Sequence, residues 1–304
     1  MKLAVKLFLF LALLFFFEKP FGYFVSVASQ QRQVDRRLEN IDSLVQNTDL
    51  FIVGSSRAAN GIVPSIIESK IELKTYGMAY SGSNLGFHKS IVSLLYNKEK
   101  PTYLLLNIDA REAFIDYKQM IYRKDKLLPY LSNQNILKEF CKNSEKNYWL
   151  ACISWAYREN QNLFHALSYL TDGKEPADIT NAVNDRGYIP IHSKSESFDG
   201  SDSVQVIDFS DLEIDSTRVK SFRDILTFCK AKNVKVFISI LPSFNQKVKG
   251  LNTFVKSHFV NDEVLIDLSS NDVRSKYFYD RGHLNDEGAQ IITTQLAERI
   301  KHGI

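Results

Sequence analysis

Cysteine is nearly missing from this chain: Cys141, Cys152 and Cys229 are the only three among 304 residues, and their separations fit no metal-ligand pattern. Three thiols cannot all pair. Either Cys141 and Cys152 bridge or all three are buried thiols, and neither case makes a disulfide-stapled scaffold. Histidine is scarce too, with six in all, so the search for a general base is short. An excess of either charge is also absent. With 38 basic and 35 acidic side chains the net charge is +3, and no block of like charge stands out. That excludes the electrostatic footprint of a nucleic-acid partner. No metal or cofactor is expected. What the chain has in quantity is apolar surface, 44% of residues, enough for one sizeable core with or without an inserted subdomain. Much of the phenylalanine (21 residues) lies in the first segment, and much of the tyrosine (14) in the middle.

The N-terminus reads MKLAVKLFLFLALLFFFEKPFGYFVSVAS. Lys2 and Lys6 precede an apolar run from Leu7 to Phe17, the length of a signal-peptide core and short for a membrane span. Glu18, Lys19 and Pro20 then give way to a second apolar stretch, Phe21 to Val27. Taken together the two stretches match a bilayer, provided that the charged pair sits near one interface. Residues 1–28 are therefore expected to be an uncleaved anchor, or a signal cut near Ser26 and Ala28. Both readings put the rest of the chain outside the cytoplasm, facing the periplasm or the cell exterior, because the lysines stay inside.

Residues 29–48 carry Val34, Leu38, Ile41 and Val45 at helical spacing and read as a linker helix. From residue 49 to 302 buried strands alternate with helices: DLFIVG, PTYLLLNIDA, VKVFISILP and EVLIDLS are apolar throughout. Such strands predict an α/β fold, a flavodoxin-like parallel sheet with helices on both faces. Pro64 is expected to open a helix, and Asn285 or Asp286 to cap the last one. Residues 111–203 break the rhythm and predict a mostly helical insertion forming one wall of a cleft.

Two short patterns carry chemistry. In FIVGSSRAANG a strand passes through Gly54 into a helix, a place where a fold can expose one hydroxyl. Ser56 is the better nucleophile, since Ser55 is a residue early and is placed to bond within the turn. In DRGH, Asp280 and His283 share a loop before the last helix, so the carboxylate can orient the imidazole while its other nitrogen acts as base. In a parallel sheet both patterns fall beyond strand carboxyl ends, where such sheets hold ligands. The helix after Ser56 also points unpaired N–H groups toward a developing anion.

These residues resemble the SGNH (GDSL-like) hydrolase family. Its Gly-Asp-Ser block corresponds to GSSR, with Ser56 as nucleophile and Ser55 where the Asp would be; its Gly block is similar to YSGSNL, its Asp-x-x-His block to DRGH. The resemblance implies Ser56, His283 and Asp280 as catalytic residues and an oxyanion N–H on Gly82. It also implies kinship with envelope-facing members of lipoteichoic-acid D-alanylation and polysaccharide O-acetylation. One block departs. Where the family has an oxyanion Asn, aligned strand ends put Asp109, with Asn107 inside the strand. A carboxylate donates no hydrogen bond unless protonated, which leaves Arg57, Arg111 or Asn84 as substitute donors. The ordinary readings of these residues are surface ion pairs for Arg57 and Arg111, a turn at Gly82, and helix caps at Asn84 and Asp109.

The implied function is a serine esterase or O-acyltransferase acting on acyl groups of a cell-envelope or secreted polysaccharide. Its partners would be an acylated glycan substrate or acyl donor and an envelope membrane protein. The rival is a catalytically silent binding or assembly protein of an envelope glycan system, favoured by the missing Asn. Topology is checked without any substrate: an alkaline phosphatase fused to the C-terminus is expected to be active, and an inactive fusion in a well-expressed chain overturns the orientation.

Overall fold

A computed structural model describes residues 2–30, 37–39, 41–97, 101–143, 148–159, 186–192, 198, 203–270 and 273–304. In chain order its helices begin with α1 (Lys2–Gln30), α2 (Ile41–Asn47), α3 (Ser56–Gly61), α4 (Pro64–Ile71) and α5 (Leu85–Leu95). They continue with α6 (Lys124–Leu127), α7 (Gln134–Asn143), α8 (Tyr148–Ile153) and α9 (Trp155–Arg158). The last three are α10 (Ser216–Ala231), α11 (Leu251–Lys256) and α12 (Asp286–Lys301). Strands are β1 (Leu50–Val53), β2 (Thr75–Gly77), β3 (Tyr103–Asn107), β4 (Gln205–Asp208), β5 (Lys235–Ile240), β6 (Gln246–Lys249) and β7 (Val264–Asp267). The chain divides into two compact units, Met1–Glu39 with Lys124–Thr180, and Asn40–Arg123 with Asn181–Ile304.

In the first unit α1 continues through Pro20, so Glu18 and Lys19 fall in mid-helix. The Ser154 hydroxyl, capping α9, donates to Glu18 Oε1 at 2.8 Å, and the rings of Tyr23 and Trp155 lie 6.4 Å apart. Among the described residues no helix is long and apolar enough to cross a membrane. Glu18, Lys19 and Pro20 interrupt the apolar run before it reaches the roughly 20 residues a bilayer core requires.

The second unit is built on a five-stranded sheet of order β2-β1-β3-β5-β7, every pair parallel. The four strands read from the sequence are the four consecutive members β1, β3, β5 and β7. With β2 at the edge this is the 2-1-3-4-5 order of flavodoxin-like sheets. Parallel strands require crossovers, and their right-handedness sends the connections to opposite faces once the strand order reverses after β2. Accordingly α3 and α4 pack with α12, and α5 packs with α10. Leu50, Phe51, Ile52 and Val53 are all buried, as the two-sided covering demands. Pro64 occupies the first turn of α4, where its missing N–H costs nothing, and Asn285 caps α12 by accepting from Gly288 N at 3.0 Å. A small parallel ribbon, β4 with β6, lies apart from the main sheet.

The first stretch of the expected insertion, from residue 111 to Arg123, belongs to the second unit. The buried guanidinium of Arg218 on α10 donates to the carbonyls of Glu112 and Met120, each at 3.0 Å, and of Tyr117 at 3.3 Å. Phe114 is clamped by the rings of Phe254, Phe222 and Phe209 at 5.1, 5.5 and 6.2 Å. Of the rest of the expected insertion, residues 124–159 carry the short helices α6 to α9, while residues 144–147, 160–185, 193–197 and 199–202, with His165 among them, lie outside the described residues. Cys229 is a buried free thiol, its pKa pushed up to about 12 by burial, while the side chain of Cys152 is not among those described.

The apolar face of α12, Ala289, Ile292, Leu296 and Ile300, is wholly buried in the main core cluster. Leu296→Ala should cost about 2–5 kcal/mol, the usual range for a leucine truncated in a packed core. Glu298→Ala, removing only an exposed pair with Lys70 (3.3 Å), should cost less than about 1 kcal/mol. Urea denaturation of the two variants measures the difference, and equal costs would refute the packing described.

Candidate active site

The turn at Ser56 follows from three local constraints. β1 ends at Gly54 because no side chain fits there: a Cβ would come within 2.7 Å of Ala58 Cβ and 3.1 Å of Asn107 Cβ. Ser55 is extended and caps α3, its hydroxyl accepting from Arg57 N at 3.3 Å. Ser56 is then the first helical residue, with its side chain left for other work. Ser55 is the cap, and the Ser56 hydroxyl is partly buried and lines the cleft.

The partner of Ser56 arrives from 227 positions away. Ser56 Oγ lies 2.8 Å from His283 Nε2, and His283 Nδ1 lies 2.9 Å from both carboxylate oxygens of Asp280. Asp280 Oδ1 also accepts the N–H groups of Gly282 (2.7 Å) and His283 (2.8 Å), so the carboxylate closes its own loop. Burial tends to raise the Asp280 pKa, but the bonds from the His283 ring and these two N–H groups outweigh it, and the pKa lies below the ordinary value. The loop is fixed further by Tyr279 N donating to His283 O (2.9 Å) and Phe244 N to Arg281 O (2.8 Å). With Asp280 ionised on Nδ1, that nitrogen carries the proton and Nε2 accepts from Ser56. Such a chain can draw a proton from a hydroxyl as it attacks an electrophilic carbon and return it to a leaving group.

Ser56, His283 and Asp280 line an open cleft of about 510 Å³ together with Arg57, Gly82, Asp109 and Arg111. Seven of the eight expected site residues therefore share one cavity. Asn84 is the exception: its side chain caps α5, accepting from Phe87 N at 3.1 Å, and it faces a different depression beside Arg218 and Ser221. It is not available to the reacting centre. Gly82 adopts φ +69°, a left-handed turn suited to glycine. Its loop is propped from behind by Ser83, whose hydroxyl donates to Tyr80 O (2.6 Å) and pairs with the buried His88 Nε2 (2.8 Å). Burial lowers the pKa of His88 to about 3, so this imidazole is a neutral strut. Among the described residues, the N–H groups of Ser56 and Gly82 donate to no other group.

The arginines are less free than the sequence suggests. Arg57 Nη1 donates to Ser243 Oγ at 2.8 Å, Nη2 lies 3.8 Å from Glu112 Oε2, and Nε lies 4.0 Å from Asp109 Oδ1. Arg111 Nε donates to Glu112 Oε1 at 3.1 Å. Both line the cleft as members of ion pairs, close to their ordinary reading. Asp109 precedes the short 3-10 turn Ala110–Ala113, yet its side chain makes no capping bond. It is buried, and burial raises its pKa above the carboxylate norm despite the Arg57 guanidinium. Glu112, Arg218, Ser243, Tyr117 and Phe244 were not singled out from the sequence, because each resembles an ordinary surface charge, loop hydroxyl or core ring until the fold assembles them. No protein-family model matches the chain, and no curated protein matches it either.

The Asp280 carboxylate contributes stability that is fully present above its unfolded pKa, about 3.9, and is lost as pH falls through its lower folded value. Asp280→Asn should therefore be less stable than the parent protein at neutral pH, with the gap closing in the acid range. Urea midpoints measured across a pH series test this, and a gap that is constant down to pH 2 contradicts it.

Proposed function

We propose that this protein is a serine esterase or O-acyltransferase of the SGNH type, acting on acyl groups of a cell-envelope or secreted polysaccharide. The observation that carries the reading is the chain from Ser56 Oγ through His283 to Asp280, at 2.8 and 2.9 Å, open to a cleft beyond the strand ends. Ser56 attacks the acyl carbonyl as His283 Nε2 takes its proton. The two unengaged N–H groups, Ser56 and Gly82, receive the carbonyl oxygen as it gains charge. His283 then protonates the leaving hydroxyl, and an acyl-enzyme on Ser56 passes to water or to a sugar hydroxyl. Asp280 holds the ring and stabilises the imidazolium formed on the way.

A glycan fits the rim of the cleft. Tyr117, Gln119, Gln205, Asn245 and Gln246 line it, an aromatic ring and side-chain amides of the kind that meet hydroxyl groups. Residence at the envelope is supported by α1, whose large apolar side chains from Leu7 to Phe17 are 52–72% exposed around the whole helix. A helix apolar on every side is stable only in lipid or against another apolar surface. We therefore place α1 in the membrane boundary, with the catalytic unit outside the cytoplasm and an envelope membrane protein as a candidate partner.

Intact-protein mass spectrometry after exposure to a phosphonate or sulfonyl fluoride tests the chemistry. An adduct is expected on Ser56, lost in Ser56→Ala and reduced by at least 1000-fold in rate in His283→Ala, with Ser55→Ala far less affected. Absence of labelling at Ser56 across several probes in folded protein would leave the silent assembly protein as the better reading.

A further inference from the structure

We propose that Asp109 works as a protonated carboxylic acid and supplies the third hydrogen-bond donor to the oxyanion formed at Ser56. The inference rests on the serine-acyl-transfer reading of the site and goes beyond it in explaining how an acid occupies the position of a donor.

Geometry comes first. β1 and β3 are adjacent and parallel, with Val53 opposite Leu106. Ser56 and Asp109 each lie three residues past that pair, and both line the cleft. Asp109 is 3% exposed. Its Oδ1 accepts a long bond, 3.5 Å, from Asn107 Nδ2, while Asn107 Oδ1 is itself held by the Ser239 hydroxyl at 3.1 Å. The Ser55 hydroxyl also bonds to the carboxyl group, which favours its charged form, while Oδ2 is buried with no hydrogen-bond partner among the described residues.

The charged groups around it come from three elements. Arg57 on α3 approaches no nearer than 4.0 Å, too long for a hydrogen bond, and gives its bond to Ser243. Glu112, on the turn after β3, adds a like charge, and Arg111 is bonded to that Glu112. His283, from the loop before α12, acts on Asp109 through its charge in the lowering direction, as Arg57 does, and burial outweighs both. A carboxylate with Oδ2 buried and unbonded is expensive, whereas in a carboxylic acid one oxygen accepts from Asn107 and the Ser55 hydroxyl and the O–H on Oδ2 is left without an acceptor. A buried donor lacking an acceptor is the complement of an oxyanion. Rotation about Cβ–Cγ exchanges the two oxygens, so either can present the proton. As the carbonyl π electrons move onto oxygen, the Asp109 O–H shares its hydrogen without transferring it, and Asp109 leaves the step as it entered.

Two readouts test this. The infrared carbonyl stretch of a protonated carboxyl should be present near pH 7 in the full-length protein and missing in Asp109→Asn. Phosphonate labelling of Ser56 should fall about 100- to 1000-fold in Asp109→Ala and stay within about tenfold in Asp109→Asn, whose amide N–H replaces the acid proton. The parent protein should lose reactivity as pH rises through the Asp109 pKa, and Asp109→Asn should lack that alkaline limb. No carboxylic-acid band overturns the protonation. A band together with an Asn variant as slow as the Ala variant overturns the donor role. Failure of the parent protein to label Ser56 at all defeats the serine reading and the donor role with it, and the infrared band then separates that failure from an error in protonation.

Discussion

Ser56 and His283 can share a proton only because parallel strands in register bring several chain reversals to the same end of one sheet. Val53 pairs with Leu106, Asn107 with Ser239, and Ile240 with Asp267, so the exits of β1, β3 and β5 lie side by side. Everything polar in the cleft is a consequence. Ser56 follows β1, Asp109 follows β3, Ser243 follows β5, and the Asp280–His283 loop closes over them before α12. A slip of one residue in any pairing would carry one strand exit about 3.3 Å along the sheet and separate the 2.8 Å bond. The apolar strands thus do more than fill a core, because their pairing sets where each exit loop begins.

Beneath the reacting groups lies a second polar layer whose members hold one another. Arg57 ties the nucleophile turn to Ser243 beyond β5, and its guanidinium also lies against Gly282 of the histidine loop, within 3.4 Å of where a Cβ would sit. Arg218 gathers three carbonyls of the segment that carries Tyr117 and Met120 into the wall of the cleft. His88 supports the Gly82 turn through Ser83. Arg57 lines the cleft and Arg218 and His88 do not, yet each holds a loop whose freedom would lengthen the hydrogen bonds of Ser56 and His283. Loops over a parallel sheet carry function only when such braces remove their entropy.

The parts of this architecture legible in the sequence were those set by local chemistry. Unbroken apolar strands, the Gly-Ser-Ser turn, Pro64 opening a helix, Asn285 capping one, and Asp280 three residues before His283 all act within a few positions. What was not legible depends on partners far along the chain. Arg218 looks like a solvated helix residue until α10 is laid across the segment after β3. Asn84 looks equally suited to a cap or a site, and only the orientation of α5 decides for the cap. The binding of residues 111–123 into the second unit comes from the same arginine and from Phe114 in its cage of rings, neither of which has a periodic signature.

Charge in the cleft follows from this division. Two of the arginines that line the cleft are already engaged, Arg57 by Ser243 and Glu112, and Arg111 by Glu112. An anionic ligand would have to compete with the buried Glu112 carboxylate for both, and breaking such a pair strands the partner left behind. Their field is spent inward, on holding the strand exits together. Groups that meet a ligand at lower cost are the amides and the ring of Tyr117 at the rim, which exchange hydrogen bonds with water readily because they are half open to it. On the proposed reading, the rim amides and Tyr117 are the groups that meet a ligand first, while Arg57 and Arg111 serve to keep the loops that carry Ser56 and His283 in position.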